Sequence, residues 1–308
     1  MSARLRGIAK ETEQIVAAGG YTSPGDHPVR LAPWLAEAAE GTRLYGPGPV
    51  EVAGDVAAPG DRSASRTRFE VTPEGSLGAA RRLSTGGGAA YGADARGADG
   101  AGTALADGTV AVLNFASARN PGGGYLNGAQ AQEEALCRGS ALYASLRRVP
   151  EFYAAHRADP SPFYSDRVVY SPGVAVFRDD GGALLDEPYR VAFLTSAAPN
   201  AGVIAQRDPA AVSRVPRALA SRAERVLEVA AAHGHRHLVL GAWGCGVFRN
   251  DPAQVAGAFR ALLTGEGRFA GRFDHVVFAV LDRRADSPTR AAFAAAFGPR
   301  PGGATDPA

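Results

Sequence analysis

Lysine is almost missing from this chain of 308 residues: Lys10 stands alone among 33 basic side chains, and arginine supplies the rest. No Gly-Lys-Ser or Gly-Lys-Thr can therefore follow a glycine-rich loop, which removes the phosphate-binding loop of nucleoside triphosphatases. An excess of charge of one sign is missing too. With 31 acidic residues the formal net charge is +2, so no chain-wide positive field would hold a nucleic acid by its phosphates, and DNA is not an expected partner. A polyanionic ligand has to be gripped locally. Cysteine occurs only at Cys137 and Cys245, too few and too far apart for a secreted disulfide framework, so a reducing cytoplasm is the expected compartment. Long apolar runs are absent as well. Nothing approaches the roughly 18 consecutive apolar residues of a membrane span. The opening MSARLRGIAKETEQIVAAGGY carries charges where an export signal would need an apolar core. Neither export nor a membrane partner is expected.

What is present suits one sizeable core: 45% of residues are hydrophobic and 21% charged. Leu5, Ile8, Ala9, Thr12, Ile15 and Val16 recur at spacings of three and four, which predicts an amphipathic helix over 3–18, stopped by Gly19 and Gly20. Residues 21–65 are rich in Pro and Gly and read as an irregular extension, with a short helix at 33–40 and a strand near Val50. Alternation predicts a strand at 67–71 and a helix at 73–83. Residues 84–108 hold almost no large apolar side chain, cannot offset the entropy of ordering, and read as a mobile surface loop. From there strands at 109–115, 174–178, 189–196, 237–242 and 275–281 are separated by helices at 131–148, 209–233, 252–264 and 287–297. That order argues for an α/β fold, with a mostly parallel or mixed sheet covered on both faces. The tail 299–308 (PRPGGATDPA) reads as disordered.

Ligands of open α/β sheets bind where strands end and helices begin, because loop amides and helix N-termini converge there. Two glycine-rich segments take that position: SARNPGGG at 117–124, after the first buried strand, and GAWGCGVF at 241–248, after a later one. Backbone without Cβ approaches a ligand closely, and successive amides make a concave anion site. Two such loops would suit a diphosphate, while tight turns are the alternative reading of either loop alone. Neither matches the dinucleotide fingerprint G-x-G-x-x-G. His233, His235 and His237 alternate without a nearby Cys or Asp to complete a metal site, so no metal is expected. Cys245 has no histidine in its loop to serve as a base. Tyr125 and Trp243 are candidate ring platforms or buried anchors.

The first loop continues as Gly122-Gly-Gly-Tyr-Leu-Asn-Gly-Ala-Gln-Ala-Gln-Glu-Glu134. This string, extended from LNFASARNPGGG through AQAQEEALCRGSALYASL, resembles the signature of bacterial-type poly(ADP-ribose) glycohydrolases, a glycine triplet followed closely by Gln-Glu-Glu. IAKETEQIVAAGGY, FEVTPEGSLGAARRL, SPGVAVFRDD and GAWGCGVFRND resemble further elements of that family in the same order. The likeness implies a macrodomain-like three-layer α/β/α sandwich with a mixed sheet, an N-terminal helical and irregular extension over 1–66, and a catalytic domain over 67–298. It implies that ADP-ribose, the product, lies in a cleft between the two loops, and that poly(ADP-ribose) or ADP-ribosylated protein is the partner. No cofactor is implied.

Glycoside hydrolysis needs a proton for the leaving oxygen while positive charge builds on the sugar. Adjacent helical residues point about 100° apart, so Glu133 and Glu134 should not flank one bond as equivalent carboxylates. The resemblance implies that Glu134 is the acid and then the base for water, and that Glu133 holds hydroxyls at the scissile link. A helix N-terminus favours an ionised carboxylate, so Glu134 is expected to carry its proton only with substrate in place. Asn120 is implied to contact the distal ribose. Gly122, Gly123 and Gly124 would cradle the diphosphate from one side, and Gly244, Cys245, Gly246 and Val247 from the other. Phe248 would pack by the terminal ribose, and Gln132 joins the substrate contacts. A non-hydrolytic ADP-ribose-binding macrodomain and a hydrolase of mono-ADP-ribosyl-protein are the rival functions. The intact Gln-Glu-Glu speaks against the first.

Overall fold

The computed structural model describes residues 2–52, 67–86, 109–282 and 284–298. Of the expected loop over 84–108, only 84–86 are described, where they continue a helix. The remainder of that loop, the expected boundary at 66 and the expected tail lie outside the described residues.

The chain opens with α1 (Ala3–Ala18), capped by the Ser2 side chain and closed by Gly19 in the left-handed region at φ 72°. A small hairpin of β1 (Gly20–Thr22) and β2 (Pro28–Arg30) leads to α2 (Ala32–Gly41) and β3 (Arg43–Tyr45). No strand forms near Val50, contrary to expectation. Its N–H instead donates to the buried Glu228 carboxylate at 3.1 Å, and Glu228 is also paired with Arg225 and Arg268. That charged anchor, not a ladder, holds the extension at Val50.

Next come β4 (Arg68–Thr72), α3 (Ser76–Gly86) and β5 (Ala111–Phe115). The single helix expected over 131–148 is broken into α4 (Gln132–Gly139) and α5 (Leu142–Leu146). Gly139 and Ser140 cause the break. The Ser140 hydroxyl donates to Leu136 O at 2.7 Å, and the extended chain there pairs with Val176. After α6 (Pro150–Ala158) run the long strands β6 (Val168–Arg178) and β7 (Leu184–Ser196). Both exceed the expected strands, because Pro172 and Gly173 produce a register shift inside β6 instead of ending it. The chain closes with α7 (Ala201–Arg207), a 3-10 turn at Pro209–Arg214, α8 (Val215–Ala232), β8 (His237–Gly241), α9 (Pro252–Leu263), β9 (His275–Ala279) and α10 (Pro288–Phe297).

Seven strands form one mixed sheet in the order β3-β6-β7-β5-β8-β9-β4. Its centre is parallel, and the β6 pairings are antiparallel. Period-two alternation sends Leu113, Leu194, Leu240 and Phe278 to one face, against α8, α9 and α10. Val112, Phe193, Val239 and Val277 go to the other, against α1 to α6. Each fully buried Leu or Phe contributes about 1.5–3 kcal/mol, and both layers are dense with them. This is the expected three-layer sandwich. Because β5 and β8 are parallel neighbours, with Val112 beside Val239, the loops that leave them sit side by side.

The N-terminal helix is fastened to the chain just before α4. Ser2 N–H donates to Gly128 O at 3.0 Å, and the Tyr125 hydroxyl donates to Ala9 O at 3.2 Å and Glu13 Oε1 at 3.0 Å. Thr12 Oγ1 reaches Arg138 O at 2.9 Å. Gly128 has φ 72°, and a Cβ there would lie 2.4 Å from Ser2 O. Gly128→Ala should therefore destabilise the protein by about 1–3 kcal/mol through strain and loss of this contact. Urea denaturation reads the change, and an unaltered midpoint would refute the clamp.

Candidate active site

The glutamate pair begins α4, at the positive end of the helix. Gln132, just before it, spends its whole amide on the protein: Oε1 accepts from Phe115 N at 2.9 Å, and Nε2 donates to Leu113 O at 2.8 Å and Ser76 Oγ at 3.1 Å. The side chain staples α4 onto the end of β5 and α3. Glu133 is only 2% exposed. Its Oε2 accepts from Ser117 N at 2.7 Å and its Oε1 from Asn114 Nδ2 at 3.2 Å. Burial pushes its carboxyl up to about 8, against the pull of those donors and of the Gly122 amide, with Glu134 adding to the rise.

Glu134 points elsewhere. Its Oε1 accepts from Gly124 N at 2.9 Å, while Oε2 is buried and has no hydrogen-bond partner among the described residues. A Cβ on Gly123, which adopts φ 56°, would come within 2.5 Å of Glu134 Oε1 and 3.3 Å of Glu133 Oε2. Glycine is thus required where the loop passes both carboxylates. The two side chains diverge as the helical geometry predicts, one held in the protein and one with a free oxygen.

Both glycine loops line a single cleft of about 1220 Å³, with Asn120, Glu133, Glu134 and Phe248 among its walls. The amides are not shared equally between the loops. In the first, Gly123 N–H donates to Asn120 O at 3.0 Å and Gly124 N–H to Glu134. Gly122 is buried with φ 65°, and a Cβ there would meet the Tyr143 ring at 2.9 Å. The triplet is therefore a turn that seats the glutamates, and its N–H groups are already committed. In the second loop, the N–H groups of Gly244, Gly246, Val247 and Phe248 have no protein acceptor among the described residues. Gly244, at φ 71°, packs on Asn250 and Ala198, where a Cβ would lie 2.3 Å and 2.8 Å away. Three of these free amides are consecutive, the arrangement of a concave anion site.

Asn120 is exposed at the other lip, and its side-chain amide makes no hydrogen bond among the described residues. Phe248 is half-buried, its ring 5.9 Å from that of Tyr164. Tyr125 and Trp243 are both fully buried anchors, and Trp243 Nε1 donates to Ser196 O at 3.0 Å. Neither is a ligand platform. Cys245 lines the cleft, but burial pushes its thiol up to about 12, which leaves no thiolate for attack. His233 stacks on Tyr170 at 3.7 Å and bonds Tyr45, and His235 lies between Tyr170 and Thr109. Among the described residues no group of three or more His, Cys, Asp or Glu is placed to hold a metal, and no helix is long and apolar enough to cross a membrane. Sequence reasoning missed Asn114, Ser117, Tyr164 and the α1 residues Arg4, Leu5 and Ile8 that wall the cleft. Asn114 carried a signal, a polar residue inside the apolar strand AVLNF. The others carried none.

The family model for the microbial-type PARG catalytic domain matches residues 9–179. Comparison with curated proteins finds no match. Among solved structures, poly(ADP-ribose) glycohydrolase from Thermomonospora curvata is 50% identical, with a TM-score of 0.81 over 96% of this chain and 100% of that one. The same enzyme bound to the inhibitor ADP-HPD gives 51% and 0.80, over 96% and 99%. The enzyme from Deinococcus radiodurans in complex with ADP-ribose gives 47% and 0.70, over 87% and 98%. A match of this extent, carried on a glycine turn that seats two glutamates above an amide-lined cleft, shows that the chain belongs to the microbial-type poly(ADP-ribose) glycohydrolases, a family of glycoside hydrolases.

Proposed function

We propose that this enzyme releases ADP-ribose by hydrolysing ribose–ribose bonds of poly(ADP-ribose), with Glu134 as its acid and base. The observation that carries the assignment is the buried Oε2 of Glu134, which has no protein partner and lies in a wall of the cleft. Its sister oxygen is fixed by Gly124 N–H, so Oε2 is the oxygen left without a partner among the described residues. Protonated, it donates to the leaving ribose oxygen as the glycosidic C–O bond breaks. The resulting carboxylate then takes a proton from the water that adds to the anomeric carbon, which restores the acid and consumes one water. Glu133 holds sugar hydroxyls at the link, and its raised carboxyl can present an O–H near neutral pH. Gln132 acts indirectly, as the staple of α4, not as a ligand contact.

The diphosphate belongs at the free amides of Gly244, Gly246, Val247 and Phe248. Gly123 and Gly124 close the opposite side, and Gly122 supports that turn from behind. Asn120 and Phe248 mark the ribose end, on the strength of a free amide and a ring facing one cleft. The extension over 1–66 is read as part of the catalytic unit, because α1 both walls the cleft and ties down the segment before α4. Two free cysteines agree with the cytoplasm as the site of action.

Glu134→Gln should lower ADP-ribose release from purified polymer by about a thousandfold while ADP-ribose still binds, since only the proton carrier is lost. Calorimetry and product chromatography read both. Comparable release by wild type from singly modified protein would favour the mono-ADP-ribosyl reading, and binding without release would favour the reader module. Glu133 generates a second expectation. Its folded carboxyl titrates near 8 against the ordinary 4.5, so the folded state binds the extra proton between those values. Stability then falls as pH rises through that window. Glu133→Gln should gain stability relative to wild type between pH 5 and pH 8.5 in urea titrations; parallel pH profiles for the two proteins would contradict it.

A further inference from the structure

Tyr164 is one of three non-glycine residues with positive φ among those described, at 57°, and another is Arg249, also at 57°, beside Phe248. A bulky ring in that region costs of order 1–3 kcal/mol and persists only where the surroundings over-determine it. Here they do. Tyr164 N–H donates to Ser161 O at 3.3 Å, Asn200 N–H donates to Pro162 O at 2.8 Å, and the next residue, Ser165, bonds His156 at 2.7 Å. His156 stands edge-on to the Tyr164 ring at 5.7 Å.

The ring so held touches both ligand loops. It packs against Ala116 and Ala118 at the start of the first loop, with Ala197 beside them, and lies 5.9 Å from Phe248 of the second. It also lines the cleft. Its hydroxyl makes no hydrogen bond among the described residues, so the ring is the part under constraint. Phe248 is tied from its other side, where its carbonyl accepts from Gly202 N at 2.9 Å and the Arg249 methylenes cover Gly202. We propose that Tyr164 is a positioning residue of the glycohydrolase, a strained aromatic strut that sets the spacing of the two loops and the pose of Phe248 at the ribose end of the cleft. This rests on the assignment of that end to the scissile ribose.

The strut orients a sugar, whereas the anion cradle supplies affinity, so its loss should appear in turnover more than in binding. Asparagine tolerates the left-handed backbone, and Tyr164→Asn removes the ring without adding strain. The expected result is a kcat on polymer lowered about tenfold or more, ADP-ribose Kd within about threefold, and an unreduced melting temperature. Tyr164→Phe keeps the ring and should restore wild-type kcat. Wild-type turnover in the Asn variant, equal impairment of the Phe variant, or loss of binding in step with kcat would each overturn the proposal. Phe248→Ala separates two failures. Slow turnover there beside a normal Tyr164→Asn refutes the strut alone, and normal turnover in both refutes the ribose assignment as well.

Discussion

The site depends on two backbone amides that grip two adjacent carboxylates. Ser117 N–H holds Glu133 and Gly124 N–H holds Glu134, so the loop after β5 and the start of α4 are one structural unit. Both carboxylates are buried, a setting where a polar group left without a partner costs about 1–3 kcal/mol. The glycine triplet follows from that need. Its amides face inward, to the glutamates and to the turn, and the backbone passes so close to both carboxylates that no side chain fits at Gly123. Division of labour between the glutamates follows as well: one is satisfied on both oxygens, the other on one.

Much of this was legible in the residues. Apolar runs such as AVLNF, VAFLTS and HLVLG announced parallel central strands, and the two glycine loops were placed correctly at their ends. The motif around Glu133 and Glu134 identified both the helix start and the chemistry. What escaped was set by tertiary contacts. Ser140 breaks a good helical pattern because its hydroxyl recaptures a carbonyl and its backbone finds a strand partner. Pro172 and Gly173 lay outside the expected strand 174–178, yet they are a register shift within a longer one. Gln132 lines the cleft as a residue, while its amide is bonded to β5 and to Ser76, and nothing in a linear string announces those partners. Tyr164 sits in an unremarkable SPFYSD segment, and its importance lies in a backbone angle that no pattern records.

The two loops differ in kind despite similar composition. One spends its amides on the turn and on the two glutamates; the other leaves the N–H groups of Gly244, Gly246, Val247 and Phe248 without an acceptor among the described residues, as the proposed diphosphate site requires. This asymmetry reconciles a nearly neutral chain with a polyanionic ligand. In the proposed site no lysine is needed, because oriented peptide dipoles do the work of a cation at short range.

The fastening of α1 reaches far along the chain: Thr12 bonds residue 138, and Arg4 Nη2 bonds Gly181 O at 2.8 Å. Contacts of such sequence separation must wait for the intervening chain and are intrinsically slow to form. Helix α1 thus has no lodging until the strands beyond the glutamates exist. The catalytic helix is braced only then, so hydrolytic competence arises as a late event of folding.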